Sequence, residues 1–334
     1  MRHSLLLLSL LCTIAPGYSQ ADNAPVNFFT FTFENDFFAG KDYGYTSGTQ
    51  LDWAHGDART YDEIAPHWIT SLARPLWLSQ DPNQRRAVSY KIGLATYTPQ
   101  DISDQNPPKD DLPYSGLLYW KGTLHAYDDH VADRAYLTLG IVGPASGAAA
   151  AQKTFHRIIG SQQPEGWSTQ LDNEPVFKIG VARKWRTAAI DFDDSPWGMD
   201  LITHAEVGAG TFESTADLTF SMRLGKNLMR SFPTAGLLPG RDTNQLAGEL
   251  GNDIYFFIAV MARYQPNAIY VQGNNFGGKE TDLTLRQEQY FLSGGLSWNR
   301  GNWGYEYALA RSTKIFNNAH ADQVFGSLGI TYRY

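Results

Sequence analysis

Large apolar side chains fall on every second residue near the start of the chain. Phe29, Phe31 and Phe33 alternate with Thr30, Thr32 and Glu34. A period of two is the mark of a β-strand with one greasy and one polar face. The alternation gives way at Glu34-Asn35-Asp36, a group of oxygen-bearing side chains. A short glycine-containing loop over residues 37–44 follows, and a second strand starts at Tyr45-Thr46 and runs back to about His55. The hairpin expected over residues 27–55 brings Asn35, Asp36 and Thr46 together at one end of a sheet.

The same rhythm returns along the chain. In residues 88–97, Val88, Tyr90, Ile92 and Leu94 share one face while Ser89, Lys91, Gly93 and Ala95 share the other. Further strands are expected at residues 115–127, 134–142, 176–185, 200–212, 217–224, 253–264, 286–299, 303–312 and 324–334, about twelve in all. Three stretches break the pattern. The connection over residues 56–86 carries an expected helix at 68–78, interrupted by Pro75. Residues 98–112 form a loop rich in Asp and Pro. Residues 144–174 are irregular: Ser146 is placed to cap a helix over 148–159 that stops at Gly160, and a second short helix is expected over 164–171, with Trp167 and Leu171 on one side. No linker or exact repeat divides the chain.

The first 21 residues are expected to be a secretory leader: Arg2 and His3, an apolar stretch over 5–12 broken only by Ser9, and small residues at Ser19 and Ala21. The one cysteine, Cys12, lies in that leader, and Leu11 before it argues against a lipoprotein signal. The mature chain, from about Asp22, then has no disulfide. Taking 21 residues from 334 leaves 313, enough for one large β domain over 22–334. The leader removes Arg2 and no acid from a chain with net charge −7, leaving a mature chain near −8, which disfavours nucleic acid. No apolar run long enough for a membrane-spanning helix follows the leader.

An exported all-β chain without disulfides points to an antiparallel transmembrane β-barrel with short helices in an extracellular loop. Its strands average ten residues or so, and it ends on alternating Leu328, Ile330, Tyr332 and Tyr334. Lipid leaves no backbone group to be hydrated, and a closed sheet of even strand number pairs them all. Even strand number also puts both ends of the chain on the periplasmic side. Asn35, Asp36, Thr46 and the irregular segment 144–174 then all arrive at the outer rim.

His156, on the expected loop helix, is the chief candidate for chemistry there. Taken alone it reads first as a helix histidine packed between Phe155 and the barrel. Asn35 and Asp36 offer hard oxygen ligands to a cation such as calcium, and taken alone read first as a strand-end turn. Adjacent strand residues point to opposite faces, so the two share a site only where the strand bends. The chain has no G-x-S-x-G elbow, no H-E-x-x-H helix and no phosphate-binding P-loop. A hydrolase using a histidine and a metal is the enzyme class that survives.

At these residues the chain resembles the outer-membrane lipid A 3'-O-deacylases, the LpxR family. The resemblance is carried by Asn35-Asp36 at a strand end, Tyr45-Thr46-Ser47-Gly48, Tyr97-Thr98-Pro99, Gly140-Ile141-Val142-Gly143-Pro144, and His156 to Gly160, extended by Gly166-Trp167 and Gln170. It implies a twelve-stranded barrel with a calcium-dependent esterase site at its outer end, acting on the 3' acyloxyacyl group of lipid A in lipopolysaccharide. It further implies His156 as general base, Asn35 and Asp36 in the metal-containing site, and Thr46 as a site residue. The chain departs from the family pattern at Gln162, where relatives carry Glu, and at Asp104, where they carry Lys, with Lys109 nearby. Gln162 still offers a carbonyl oxygen to a metal, and Glu165 or Glu174 are the alternative carboxylates. Two other readings stay open: a non-catalytic barrel serving as channel or adhesin, and an outer-membrane phospholipid acyl hydrolase.

Overall fold

A computed structural model describes residues 26–36, 44–232, 252–317, 319 and 322–334. The expected leader and the hairpin loop up to residue 43 lie outside the described residues. Twelve strands form: β1 (Val26–Asn35), β2 (Gly44–Ala58), β3 (Arg85–Thr98), β4 (Ser115–Tyr127), β5 (Val131–Val142), β6 (Glu174–Asp191), β7 (Trp197–Gly210), β8 (Glu213–Lys226), β9 (Asp253–Ala268), β10 (Glu288–Arg300), β11 (Trp303–Ser312) and β12 (Gln323–Arg333). Each pairs antiparallel with the next, and β12 returns to β1 through pairs such as Phe31 with Ile330 and Asn35 with Gly326, so the sheet closes. Closure leaves no strand edge unpaired, the condition for crossing lipid with strands. Among the described residues no helix is long and apolar enough to span a membrane.

The alternation in the sequence is the inside and outside of this barrel. Phe29, Phe31, Leu51, Ile92, Leu118, Leu137, Phe177, Ile179, Val207, Phe220, Ile258 and Leu292 are exposed on the outer wall. Between them, Thr30, Thr32, Glu34, Gln50, Asp52, Lys91 and Thr123 are buried in the lumen. The lumen is wired by charge: Lys91 Nζ donates to Gln50 Oε1 at 2.6 Å and lies 3.4 Å from Asp52, and Gln50 Nε2 donates to Glu34 Oε2 at 3.1 Å. Arg263 pairs with both oxygens of Asp217 at 2.8 and 2.9 Å. At the end of the lumen beside the β1–β2 hairpin an apolar plug gathers Tyr45, Tyr97, Leu171, Ile269, Val271, Leu285, Phe316 and Phe325. Within it Tyr97 and Tyr270 stack with centroids 4.2 Å apart.

Several strand boundaries differ from the sequence reading, and at β8 the reason is plain. β6 runs to Asp191 rather than 185, β7 spans Trp197–Gly210 rather than 200–212, and β8 opens at Glu213 rather than 217. Glu213 and Thr215 look like loop residues, but both take hydrogen bonds from the lumen-facing Lys178 Nζ, at 2.6 and 3.0 Å. Polar residues belong on strands whose inner face is polar.

The irregular stretches fold as short helices. In the connection after β2, α1 (His67–Ala73) stops before Pro75, and a 3-10 turn over Trp77–Ser79 follows. In the connection after β5, α2 (Ala148–Ile159) ends at Gly160, whose φ of 71° is the left-handed stop expected for it. Its N-cap is Gly147, at φ 75°, rather than Ser146. A left-handed backbone favours glycine at the cap, while Ser146 one residue earlier still accepts the Ala148 N–H at 3.3 Å. The helix expected over 164–171 is a single 3-10 turn, Gly166–Thr169. Trp167 and Leu171 are drawn into different apolar clusters, one under α2 and one in the apolar plug. The remaining helix, α3 (Ile269–Gln272), belongs to that plug.

Candidate active site

Asn35 ends β1 on the face that carries Phe29 and Phe31, the outer wall, because residues two apart share a face. It pairs with Ser47, and Ser47 pairs with Thr96. Between Tyr45 and Ser47 the register of β2 against β3 slips: Tyr45 faces Tyr97, Ser47 faces Thr96, and Thr46 is the extra residue of a β-bulge. The Thr46 hydroxyl meets that of Thr98 at 2.5 Å. Thr98 lies two beyond Thr96, so Thr46 joins the outward group. Asp36 leaves the strand in a helical turn directly after Asn35, which supplies the bend that two neighbouring side chains need to share one site.

Residues at this position on an outer wall would meet lipid, yet Asn35, Asp36, Thr46, Thr96 and Thr98 are all buried. The cover is α2. Ala148 packs with Tyr114 and Trp167, joined by Ala149 and Leu94 of the outer wall. A side chain at Gly116 of β4 would overlap the Ala148 methyl and the Ser146 hydroxyl, so glycine there lets helix and strand touch. At the other end of the helix, the Phe155 ring lies 5.4 Å from that of Phe33, two residues before Asn35 on the same face. The indole N–H of Trp167 donates to Gln152 Oε1 at 2.7 Å, tying the following turn to the middle of the helix. α2 therefore lies along the outside of the barrel wall, from β4 across to β1, and closes over the hairpin patch.

His156 is buried on the inner side of α2, one residue from Phe155. Its Nδ1 lies 2.5 Å from the main-chain carbonyl oxygen of Gln162. A carbonyl only accepts, so Nδ1 carries the hydrogen and Nε2 of the neutral ring keeps a lone pair. The left-handed turn at Gly160 brings the chain back to make this bond, and the Ser161 N–H caps the His156 carbonyl at 2.9 Å.

The structure thus brings Asn35, Asp36 and Thr46 into one buried patch and lays the His156 helix on it. Gln162 reaches His156 through its main chain, while its side chain is exposed. Asp104 and Lys109 are both exposed, and the Asp104 carboxylate accepts the Asn106 N–H at 2.8 Å. Glu165 is exposed as well. Glu174 faces the lumen, where Asn275 Nδ2 donates to Oε1 at 2.6 Å and the Asn275 N–H and Asn274 Nδ2 donate to Oε2 at 2.9 and 3.1 Å. Among the described residues no group of three or more His, Cys, Asp or Glu stands close enough to hold a metal. The sequence reading gave no role to Thr98, Gln152 or Phe33. Thr98 had a signal, since it sits within the Tyr97-Thr98-Pro99 motif, but its pairing with Thr46 depends on a bulge that no alternation pattern shows.

A closed twelve-stranded antiparallel barrel, greasy outside and charged within, with both ends of its described strands on one side, defines an integral outer-membrane protein. Within that class the assignment is specific: the family described as outer membrane protein LpxR matches residues 5–334, and the chain belongs to it. The solved structure of LpxR from Salmonella typhimurium superposes with a TM-score of 0.73 at 18% identity, covering 91% of this chain and 99% of that one. The beta domain of the Bordetella autotransporter BrkA gives 0.43 at 9% identity, covering 93% and 98%. The translocator domain of the autotransporter NalP from Neisseria meningitidis gives 0.37 at 8%, covering 92% and 87%. No curated protein matches the chain in sequence.

Proposed function

We propose that the chain is a lipid A deacylase, a calcium-dependent ester hydrolase that removes the 3'-linked acyloxyacyl group of lipid A at the outer leaflet. The observation that carries this reading is the position of His156, held by the Gln162 carbonyl under a helix that covers the lipid-facing wall beside Asn35, Asp36 and Thr46. A site on the outer wall meets its substrate sideways, from within the leaflet, as an acyl ester requires.

With Nδ1–H committed to a carbonyl, Nε2 takes a proton from the water that attacks the ester carbonyl. One of the Thr46 and Thr98 hydroxyls donates to the other. The remaining hydroxyl hydrogen is left for a substrate oxygen. The buried carboxylate of Asp36 and amide of Asn35 fit a hard cation that keeps several waters, and calcium bound there would supply positive charge for the developing oxyanion. A single carboxylate holds calcium weakly. Half-maximal activity is therefore expected at calcium near the weak end of protein sites, on the order of 10⁻⁴–10⁻³ M.

The test is incubation of purified protein with lipid A over a calcium series, with products read by mass spectrometry. Loss of the acyloxyacyl mass, abolished by a chelator and restored by calcium, is the expected result. Intact lipid A at every calcium concentration overturns the reading, and full activity in chelator removes the metal from it. Phospholipid offered alongside lipid A identifies the ester cleaved. An open channel is disfavoured by the apolar plug of Tyr45, Tyr97, Leu171 and Phe316 at one end of the lumen and by ion pairs such as Lys91 with Asp52 and Arg263 with Asp217 inside it. A further expectation concerns the cover. Gly116→Leu would wedge α2 away from β4, and displacement of about 1 Å at a reacting centre costs about 10²-fold in rate. The same assay checks it, with heat-shifted electrophoretic mobility reporting that the barrel still folds.

A further inference from the structure

The connection between β2 and β3, on the periplasmic side, does more than turn the chain. It folds back over the outside of the wall. Tyr61, Ala73 and Leu78 pack on Val88 of β3 and Ala126 of β4, with Leu124 and Ala135 alongside. All four strand residues face outward, since their lumen-facing neighbours are Ser89, His125 and Arg134. The Tyr61 hydroxyl donates to the His125 carbonyl at 2.8 Å and fixes the segment at this level.

One side of α1 is apolar: Trp68 and Leu72, four apart, are 60% and 65% exposed, while Asp62, Glu63 and Arg74 are exposed on the rest of the segment. Trp77 lies against the wall beside Val181 and Val207. Next to Trp77 is a groove of about 420 Å³, floored by Val181, Ala205 and Val207 of the outer wall and ending at Arg183 and Asp133. Arg183 binds Asp133 through Nε and Nη2 at 2.6 and 2.7 Å, and its side chain remains 44% exposed. Asp133 lies only two residues into β5 from its periplasmic turn, and Trp185 follows Arg183 on the same face of β6, so the cation sits toward the periplasmic end of the lipid-facing wall.

We infer that this segment and the neighbouring wall form a binding site for one phospholipid of the periplasmic leaflet. An acyl chain lies in the groove between Trp77 and the Val181–Val207 floor, and the phosphate meets the Arg183 guanidinium. Trp68 and Leu72 dip into the same leaflet as an interfacial anchor. The occupant follows from two features. The groove is continuous with the exposed apolar band of Leu137, Ile179 and Val207, which is lipid-facing in any outer-membrane barrel. Tryptophan and arginine at an interface pair with the acyl boundary and the phosphate respectively. The site lies at the opposite end of the barrel from α2 and does not depend on the proposed deacylase activity.

The test reconstitutes the mature protein, from about Asp22, in vesicles of phosphatidylethanolamine and phosphatidylglycerol. An environment-sensitive dye is attached at Leu72→Cys or, as a reference, at Arg300→Cys, the exposed last residue of β10. Bromine on the lipid acyl chains is expected to quench the dye at position 72 strongly and at 300 weakly. In a second readout, native mass spectrometry after detergent exchange should show retained phosphatidylglycerol. That fraction should fall several-fold in Arg183→Gln and in Trp77→Ala and stay unchanged in Arg300→Gln. Equal quenching at 72 and 300, or retention indifferent to both Arg183 and Trp77, overturns the inference. Trp77→Ala removes no ion pair, so it stays informative if Arg183→Gln fails to fold.

Discussion

Replacing His156 with alanine is expected to slow release of the acyloxyacyl group by about 10²–10⁴-fold, the usual contribution of a positioned general base. The barrel should be untouched, because the ring does not hold α2 in place. That work is divided among Ala148 against Tyr114 and Gly116, Gln152 with the Trp167 indole, and Phe155 on Phe33. His156→Asn separates the base from the hydrogen bond. The asparagine Nδ2 takes the place of Nδ1 and can still donate to the Gln162 carbonyl but cannot take a proton from water. It is expected to be as inactive as alanine, whereas a purely structural histidine would be largely rescued by it. The measurement is initial rate by mass spectrometry on lipid A, with folded barrel verified by electrophoretic mobility before and after heating. Activity within a few-fold of the parent in both variants removes His156 from the chemistry.

How far the sequence reaches depends on which contacts are local. Strand alternation is local, so the strands, their number and the polar faces that carry Glu34 and Lys91 were legible from the period, and the expected export leader and lack of disulfides turned them into a closed barrel. So was the stop of α2 at Gly160, because one left-handed residue decides it. Polar strand ends were not legible: Glu213 looks like loop until Lys178 of β6, two strands away, is seen to meet it. The position of α2 was legible only as an end of the barrel. That the helix lies outside the wall rather than over the mouth is decided by tertiary contacts between small residues, Gly116 and Ala148, far apart in sequence. The same applies to the segment after β2, whose Trp68 and Pro75 marked a broken helix without showing that it doubles back onto β3 and β4. Motif spacing brought Asn35, Asp36, Thr46 and His156 to one rim. The bulge that turns Thr46 toward Thr98 is a register fact, visible only once β2 and β3 are paired.

The largest stability effect is expected at the other end of the lumen. Asp200 is buried between Arg223 and Arg186. Arg223 donates to it through Nε at 2.9 Å and Nη2 at 2.6 Å, and Arg186 Nη1 contacts the same carboxylate. Most of their other donors go to the connection that follows β8: Arg223 to the carbonyls of Leu228 and Ser231 at 2.9 and 2.8 Å, Arg186 to the same two carbonyls at 3.1 and 3.0 Å, while Arg186 Nε donates to the Asp129 carbonyl at 2.7 Å. Phe232 lies beneath the Arg186 guanidinium, 4.9 Å from it. One carboxylate thus stands between two cations and offsets one of their charges, and the two guanidiniums together draw the chain after β8 over this end of the lumen. Asp200→Ala leaves both charges facing each other without a counter-ion, and breaking such a buried pair costs roughly 3–5 kcal/mol. Asp200→Asn keeps one accepting oxygen and should cost less, with the lost charge as the remaining deficit. Urea unfolding in detergent or vesicles reads both: the midpoint should fall in the order parent, Asn, Ala. An alanine variant with the parent midpoint would mean that water enters this end of the lumen freely enough to solvate two arginines, and that the ion triad contributes nothing to holding the connection in place.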